Sequence, residues 1–141
     1  MNRSLLAPRL WYVVGAIATA TIAAALTSRR DGFSVWLLAT IVVSTAMVAS
    51  VASFALITRD GPARLGRWLL AGFLVPILAV IGFLETNFVI GWILHGSDGG
   101  IRALYWASVT VGSMITIPMG VVASIVLLWA IRKRFYGSAL R

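Results

Sequence analysis

The chain has 141 residues, of which 60% are hydrophobic and 11% charged, and its mean hydropathy is +0.97. A soluble domain of this size needs a polar surface, so this composition excludes that class and predicts an all-α polytopic membrane protein. The formal net charge of +8 comes from basic residues beside apolar runs. That distribution is typical of membrane topology and anionic lipid contacts rather than of nucleic-acid binding.

Four long apolar segments predict a single domain, residues 1–141, with four transmembrane helices at about 10–28, 33–58, 68–94 and 104–131. The first segment resembles a signal peptide in one respect, because Ala23, Ala24 and Ala25 form a small-residue cleavage site. Its 19 uncharged residues are long for a signal core. We therefore expect a retained first span.

Turn signals separate the four spans. Residues 29–32 predict a tight turn in which Gly32 supplies backbone freedom, and the second span begins with Phe33 and Trp36 as interface anchors. Residues 59–62 predict a second turn through the sequence Arg-Asp-Gly-Pro. A glycine-rich connection at 95–102 precedes the fourth span.

The third span contains the least expected residue of the chain. Residues 68–84 are 17 uncharged positions, which make about 25 Å of helix, slightly short of the roughly 30 Å hydrocarbon core. Glu85 follows, and residues 88–94 are apolar again. Either one tilted helix continues to residue 94, or the span ends near Glu85 and residues 88–94 form an interfacial or re-entrant turn.

The basic residues predict how the chain crosses the membrane. With four spans, nine of them fall on the side of the two termini and three on the other side. The positive-inside rule then places both termini in the cytoplasm and Glu85 towards the outer leaflet. Eleven of the twelve Lys and Arg residues are arginine, which points to a GC-rich bacterial genome and hence to a multi-pass protein of the bacterial plasma (inner) membrane.

Small residues recur every fourth position in the fourth span, at Ser108, Gly112, Thr116, Gly120 and Ser124. This spacing places them on one helix face and lets a neighbouring backbone approach closely. They serve either packing within the bundle, which we favour, or an oligomer interface. Pro76 and Pro118 lie near the middle of spans three and four and are expected to kink them.

Glu85 is the best candidate for a functional residue, because an acid inside the membrane is costly and needs a partner. Arg102 and His95 are expected on the same side of the membrane, and Asn87 can hydrogen-bond a carboxylate or a ligand. An ion, proton or ligand site is one interpretation. A Glu85–Arg102 ion pair between spans three and four is the structural alternative, and a carboxylate at the membrane surface is another.

The sequence predicts no catalytic residues, no metal site and no cofactor. His95 is the only histidine and cysteine is absent, so neither a histidine-rich nor a thiolate metal site can form within one chain. No Ser-His-Asp arrangement, phosphate-binding glycine loop or catalytic pair of carboxylates can be assembled.

These observations favour a non-enzymatic subunit or accessory component of a membrane assembly. Its partners would be the lipid bilayer and either other membrane subunits or further copies of the chain. One alternative is an oligomeric small-molecule or ion transporter or channel that uses Glu85. Another is a lipid-modifying membrane enzyme with an outer-leaflet site at Glu85, His95 and Arg102.

Overall fold

The computed structural model describes residues 3–27, 35–96 and 101–137, with side chains placed for residues 5–26, 35, 38–94, 96 and 114–137. Four long helices make up most of this: α1 Arg3–Thr27, α2 Val35–Leu56, α3 Leu65–His95 and α4 Ile101–Ile131. Each contains a segment that is long and apolar enough to cross a membrane. The prediction of an all-α fold with four such helices is therefore confirmed for the described residues.

The helix ends differ from the ends of the uncharged runs. α1 begins at Arg3 rather than at residue 10, and α3 begins at Leu65 and includes Arg67. α4 continues into a π-helical turn, Arg132–Tyr136. An uncharged run marks the part of a helix that hydrocarbon can surround, whereas the helix itself continues into the interface, where water and headgroups solvate long basic side chains.

The helices alternate in direction and pack in a ring, α1 on α2, α2 on α3, α3 on α4 and α4 on α1. Tyr12 of α1 meets Trp68 of α3 edge to face, with 5.5 Å between ring centroids. The Arg134 guanidinium, just after α4, lies 4.6 Å from the ring centroid of Trp11 in α1. The start of α1, the start of α3 and the end of α4 therefore share one end of the bundle.

We call this the basic end, because its described cations are Arg9, Arg59, Arg64, Arg67, Arg132, Lys133 and Arg134. Its apolar interior is built from the side chains of Tyr12, Leu56, Ile57, Trp68, Leu128 and Ile131. Trp68 is fully buried, and its indole Nε1 has no hydrogen-bond acceptor within the described residues. An unpaired buried donor costs about 1–3 kcal/mol, which the burial of the large ring offsets.

A short hairpin closes the basic end between α2 and α3. Strand β1, Ile57–Thr58, pairs antiparallel with β2, Gly61–Pro62. Gly61 has φ +117°, a conformation that only glycine adopts without strain. The Thr58 hydroxyl also donates to the Gly61 carbonyl at 3.0 Å. The turn predicted at 59–62 is the loop of this hairpin, and α2 ends two residues earlier than the predicted span.

Arg9 contacts the residue that directly follows α2. Its guanidinium donates from Nε and Nη2 to the Ile57 carbonyl oxygen, at 3.3 and 3.0 Å, and lies 4.2 Å from the ring centroid of Phe54. A cation here donates a hydrogen bond to a carbonyl oxygen that lies beyond the last turn of α2. It also interacts favourably with the helix dipole. The contact also holds the hairpin against α1.

The backbones of α3 and α4 approach each other closely. A methyl group added at Gly72 would lie 2.8 Å from Ser124 Oγ and 2.9 Å from the Gly120 carbonyl oxygen. A methyl group at Gly120 would in turn collide with the ring of Pro76. The two backbones therefore touch, which is the packing that small residues permit in membrane helices.

Both prolines lie inside continuous helices, Pro76 in α3 and Pro118 in α4. α3 also runs without interruption through residues 85–94 to His95. Of the two geometries considered for this segment, the structure has the single helix rather than a re-entrant turn.

Several expectations lie outside the described residues or side chains. They concern the turn at 29–32, the loop residues 97–100, and the side chains of Phe33, Trp36, His95, Arg102, Ser108 and Gly112.

We predict that Gly72→Ala destabilises the bundle by about 1–3 kcal/mol, because the added methyl group forces α3 and α4 apart. The free energy of unfolding is measured by titration with SDS, and circular dichroism is the signal that reports unfolding. Gly66→Ala, in the first turn of the same helix, is the matched control, since no atom lies within 4 Å of its added methyl group. Equal effects of the two changes would contradict the close contact.

We predict that Arg9→Met destabilises the protein by about 1.5–3 kcal/mol, the usual contribution of a hydrogen bond to a charged group. Methionine keeps an apolar stem over Phe54 but cannot donate to the Ile57 carbonyl. Arg132→Met removes an exposed cation at the same end and is the control. The same SDS titration measures both, and a neutral Arg9→Met would show that the cap does not stabilise α2.

Candidate functional site

The polar residues Glu85, Thr86 and Asn87 lie on three different sides of α3. Glu85 is 17 residues beyond Trp68, which corresponds to about 25 Å along the helix axis. The exposed Thr86 hydroxyl donates to the Gly82 carbonyl of its own helix at 2.7 Å. Because successive residues of an α-helix are about 100° apart, Glu85 and Asn87 point in nearly opposite directions.

Glu85 faces outward. Its side chain is exposed on the surface of the bundle, and no ion pair joins it to any residue that the structure describes. Val89 and Trp92, one and two turns further along the same face, are exposed as well. Glu85 is therefore a single carboxylate on an otherwise apolar outer stripe of α3.

Asn87 faces α2. Its side-chain Nδ2 donates to the Phe83 carbonyl at 2.8 Å and lies 3.5 Å from the hydroxyl oxygen of Thr40 in α2. Thr40 is buried. The structure therefore places Asn87 in the α2–α3 contact and does not bring it together with Glu85.

The α2–α3 contact is lined by small and polar residues that the sequence analysis did not single out. Thr40 and Ser44 are buried, and Ser44 lies opposite Gly82, where an added methyl group would be 3.8 Å from its Cβ and Oγ. The two α2 residues are four positions apart, which is the same small-residue spacing that was noted in the fourth span. That spacing was the signal that could have found them.

In α4 the structure places Gly120 and Ser124 against α3, inside the same chain. Ser124 is buried, and Thr116, about two turns earlier, is partly buried. The described half of the small-residue ladder therefore packs within the bundle. One turn beyond Ser124, Leu127 fills the space in front of Gly15 of α1.

His95 is the last residue of α3, and Gly96 caps the helix in a left-handed conformation, φ +70°, with its N–H donating to the Trp92 carbonyl at 2.9 Å. Ten residues separate Glu85 from His95, so their backbones are about 15 Å apart along the axis. The side chains of His95 and Arg102 lie outside the described set. Among the described residues, no three His, Cys, Asp or Glu side chains are close enough to hold a metal ion.

A groove of about 730 Å³ lies at the basic end, between the hairpin and the first turn of α3. Arg64 and Arg67 line it, and Asp60 at the hairpin tip is its only acidic lining residue. In the sequence these arginines indicate only topology. Their approach to one groove depends on the hairpin, which composition alone does not reveal.

No protein-family model matches the chain, and no match was found among curated proteins or solved structures. The features of the chain that bear on function are the outward carboxylate, the packed interior and the groove at the basic end.

We predict that Asn87→Ala destabilises the bundle by about 0.5–1 kcal/mol, the usual size of a hydrogen bond between membrane helices. Thr86→Ala is the matched control, because its hydroxyl is exposed and bonds only its own helix. Unfolding by SDS titration distinguishes the two. If Thr86→Ala were the more damaging change, the assignment of Asn87 to the α2–α3 contact would be wrong.

Proposed function

We propose that the protein is a non-enzymatic subunit or accessory component of a membrane assembly, and that it binds its partner through the outer face of α3. The observation that carries this proposal is the outward position of Glu85. A carboxylate on an apolar, membrane-embedded helix face costs free energy unless water, a headgroup or a partner offsets the cost. A basic or hydrogen-bonding group on a neighbouring helix would do so.

The residues around Glu85 suit such a contact. Val89, Trp92 and Ile93 are exposed on the same stretch of α3, and large aromatic and apolar side chains around one polar group are typical of interface centres. Trp92 adds a large rigid surface. The stripe thus combines apolar area with one charge that selects the partner.

The interior of the bundle favours this function over transport through one chain. Where the structure describes side chains, α3 and α4 touch at Gly72 and Gly120, and the α2–α3 contact is filled by Thr40, Ser44 and Asn87. A transport path needs a hydrated cavity lined by its coupling groups, whereas Glu85 lies on the opposite side of α3 from Asn87.

The proposed setting is the bacterial inner membrane, with both termini in the cytoplasm. Its support is the distribution of nine basic residues against three and the predominance of arginine. In this orientation the basic end faces the cytoplasm and Glu85 lies in the outer half of the bilayer.

We predict that Glu85→Gln weakens the assembly by about tenfold or more in apparent dissociation constant, which corresponds to roughly 1.4 kcal/mol. The measurement is native mass after mild detergent extraction from the source membrane. We expect the wild-type chain to co-purify with membrane subunits of another sequence. The variant is expected to purify largely alone. Asp60→Asn, which removes the exposed acid of the hairpin, is the matched control and should leave the mass unchanged.

Other outcomes would redirect the proposal. If the wild-type chain extracts only as a small homo-oligomer, the oligomeric transporter or channel becomes the better hypothesis, and flux in liposomes with and without Glu85→Gln is the next test. Loss of a lipid-modifying turnover on changing Glu85 and His95 would instead support an enzyme. An unchanged mass with Glu85→Gln would show that Glu85 does not hold the partner.

A further inference from the structure

We propose that the groove between the hairpin and the first turn of α3 binds the phosphate-bearing headgroup of an anionic phospholipid. This inference is independent of the proposed subunit function, because it concerns the opposite end of α3. Three properties of the groove support it. Its arginines have no partner among the described residues, backbone hydrogen bonds hold its frame, and it lies where the apolar surface of α3 begins.

The cations of the groove are available for a ligand. Two other cations at the basic end are engaged: Arg9 binds the Ile57 carbonyl, and Arg134 lies over Trp11. The guanidinium groups of Arg64 and Arg67 are exposed, and neither forms a hydrogen bond, ion pair or ring contact with a described residue. Arginine binds phosphate through planar, two-point hydrogen bonds.

The local charge favours an anion. Arg64 and Arg67 line the groove together with one acid, Asp60, and Arg59 is its neighbour in the hairpin loop. The described charges of this loop and turn therefore sum to a positive value. Its volume, about 730 Å³, lies within the range of roughly 300–1,000 Å³ that is usual for sites of small ligands.

Backbone hydrogen bonds hold the frame of the groove. The two strands of the hairpin pair with each other, the Ala63 N–H donates to the Leu56 carbonyl at 2.7 Å, and the Arg67 N–H donates to the Arg64 carbonyl at 3.0 Å. A preformed site loses less conformational entropy on binding than a mobile loop.

The place of the groove distinguishes a lipid from a soluble anion. The apolar span of α3 begins at Leu65, one residue after Arg64. Leu70 and Leu74, about one and two turns beyond Arg67 on the same face, are exposed. A phospholipid can therefore place its phosphate beside the two arginines and its acyl chain along these leucines, whereas a soluble phosphate would use the arginines alone.

The test uses the full chain purified in a neutral detergent, with lipid binding read by native mass spectrometry. Three proteins are compared: the wild type, R64Q/R67Q, and R132Q/K133Q, which removes two cations from the same end but not from the groove. Each is titrated with phosphatidylglycerol and with phosphatidylcholine, and the complex with phosphatidylglycerol is then challenged with inorganic phosphate. Circular dichroism checks that each protein is folded.

We expect the wild type to bind phosphatidylglycerol in preference to phosphatidylcholine, and R64Q/R67Q to bind it about 10- to 30-fold more weakly, as two basic contacts with anionic lipid imply. R132Q/K133Q should keep most of the affinity. Equal losses in the two variants would overturn the site in favour of diffuse attraction to the basic end. Displacement of the lipid by equimolar inorganic phosphate would overturn the lipid assignment and indicate a soluble anion.

The wild-type titration decides the question even if R64Q/R67Q does not fold. Equal affinity for the two lipids would contradict the proposal without any variant. R64K/R67K, which keeps both charges but loses two-point hydrogen bonding, should retain part of the preference. If R64K/R67K bound phosphatidylglycerol no better than R64Q/R67Q, the charge at these positions would not attract the lipid.

Discussion

The bundle depends on the backbone contact between α3 and α4 at Gly72 and Gly120. Lipid tails are as apolar as the helix surfaces, so the hydrophobic effect does little to bring membrane helices together. Close packing over many atoms must do so, and it needs residues small enough to let two backbones touch. The side chains are consequently distributed as lipid solvation favours: Ala49, Ser53 and Ser124 are buried, while many of the large apolar residues face outward.

The basic end is held together by different interactions, because it lies where water and headgroups are expected. Arg9 binds the Ile57 carbonyl, and the rings of Tyr12 and Trp68 pack edge to face beneath the hairpin. Arginine can make such a contact here since its guanidinium is only partly removed from polar surroundings. The two regions are complementary: small residues set the distance between α3 and α4, and the aromatic cluster fixes how α1 and α3 meet.

The sequence was sufficient for the number and approximate position of the helices, because long uncharged runs have few alternatives to membrane-spanning helices. The small-residue spacing in α4 also indicated a packing face, although only its second half, including Gly120 and Ser124, can be placed. The contact of Arg9 with Ile57 could not be predicted, since 48 positions separate them and no local pattern links them. The helix ends differ from the span ends because charged residues such as Arg67 continue α3 beyond its apolar run, whereas α2 ends at the hairpin.

The rotation of α3 about its own axis could likewise not be predicted from the sequence, and it decides whether Glu85 faces the interior or the surface. Hydropathy gives the depth of Glu85 along the span, but packing against α2 and α4 decides which way it points. Glu85 and Asn87 form one polar cluster in the sequence and two separate environments in space, since two helical positions turn the side chain by about 200°. Asn87 finds its partner within the chain, at Thr40 and Phe83. The carboxylate of Glu85 is exposed on the surface of α3 and has no ion-pair partner among the described residues, and this position favours a contact surface over an internal site.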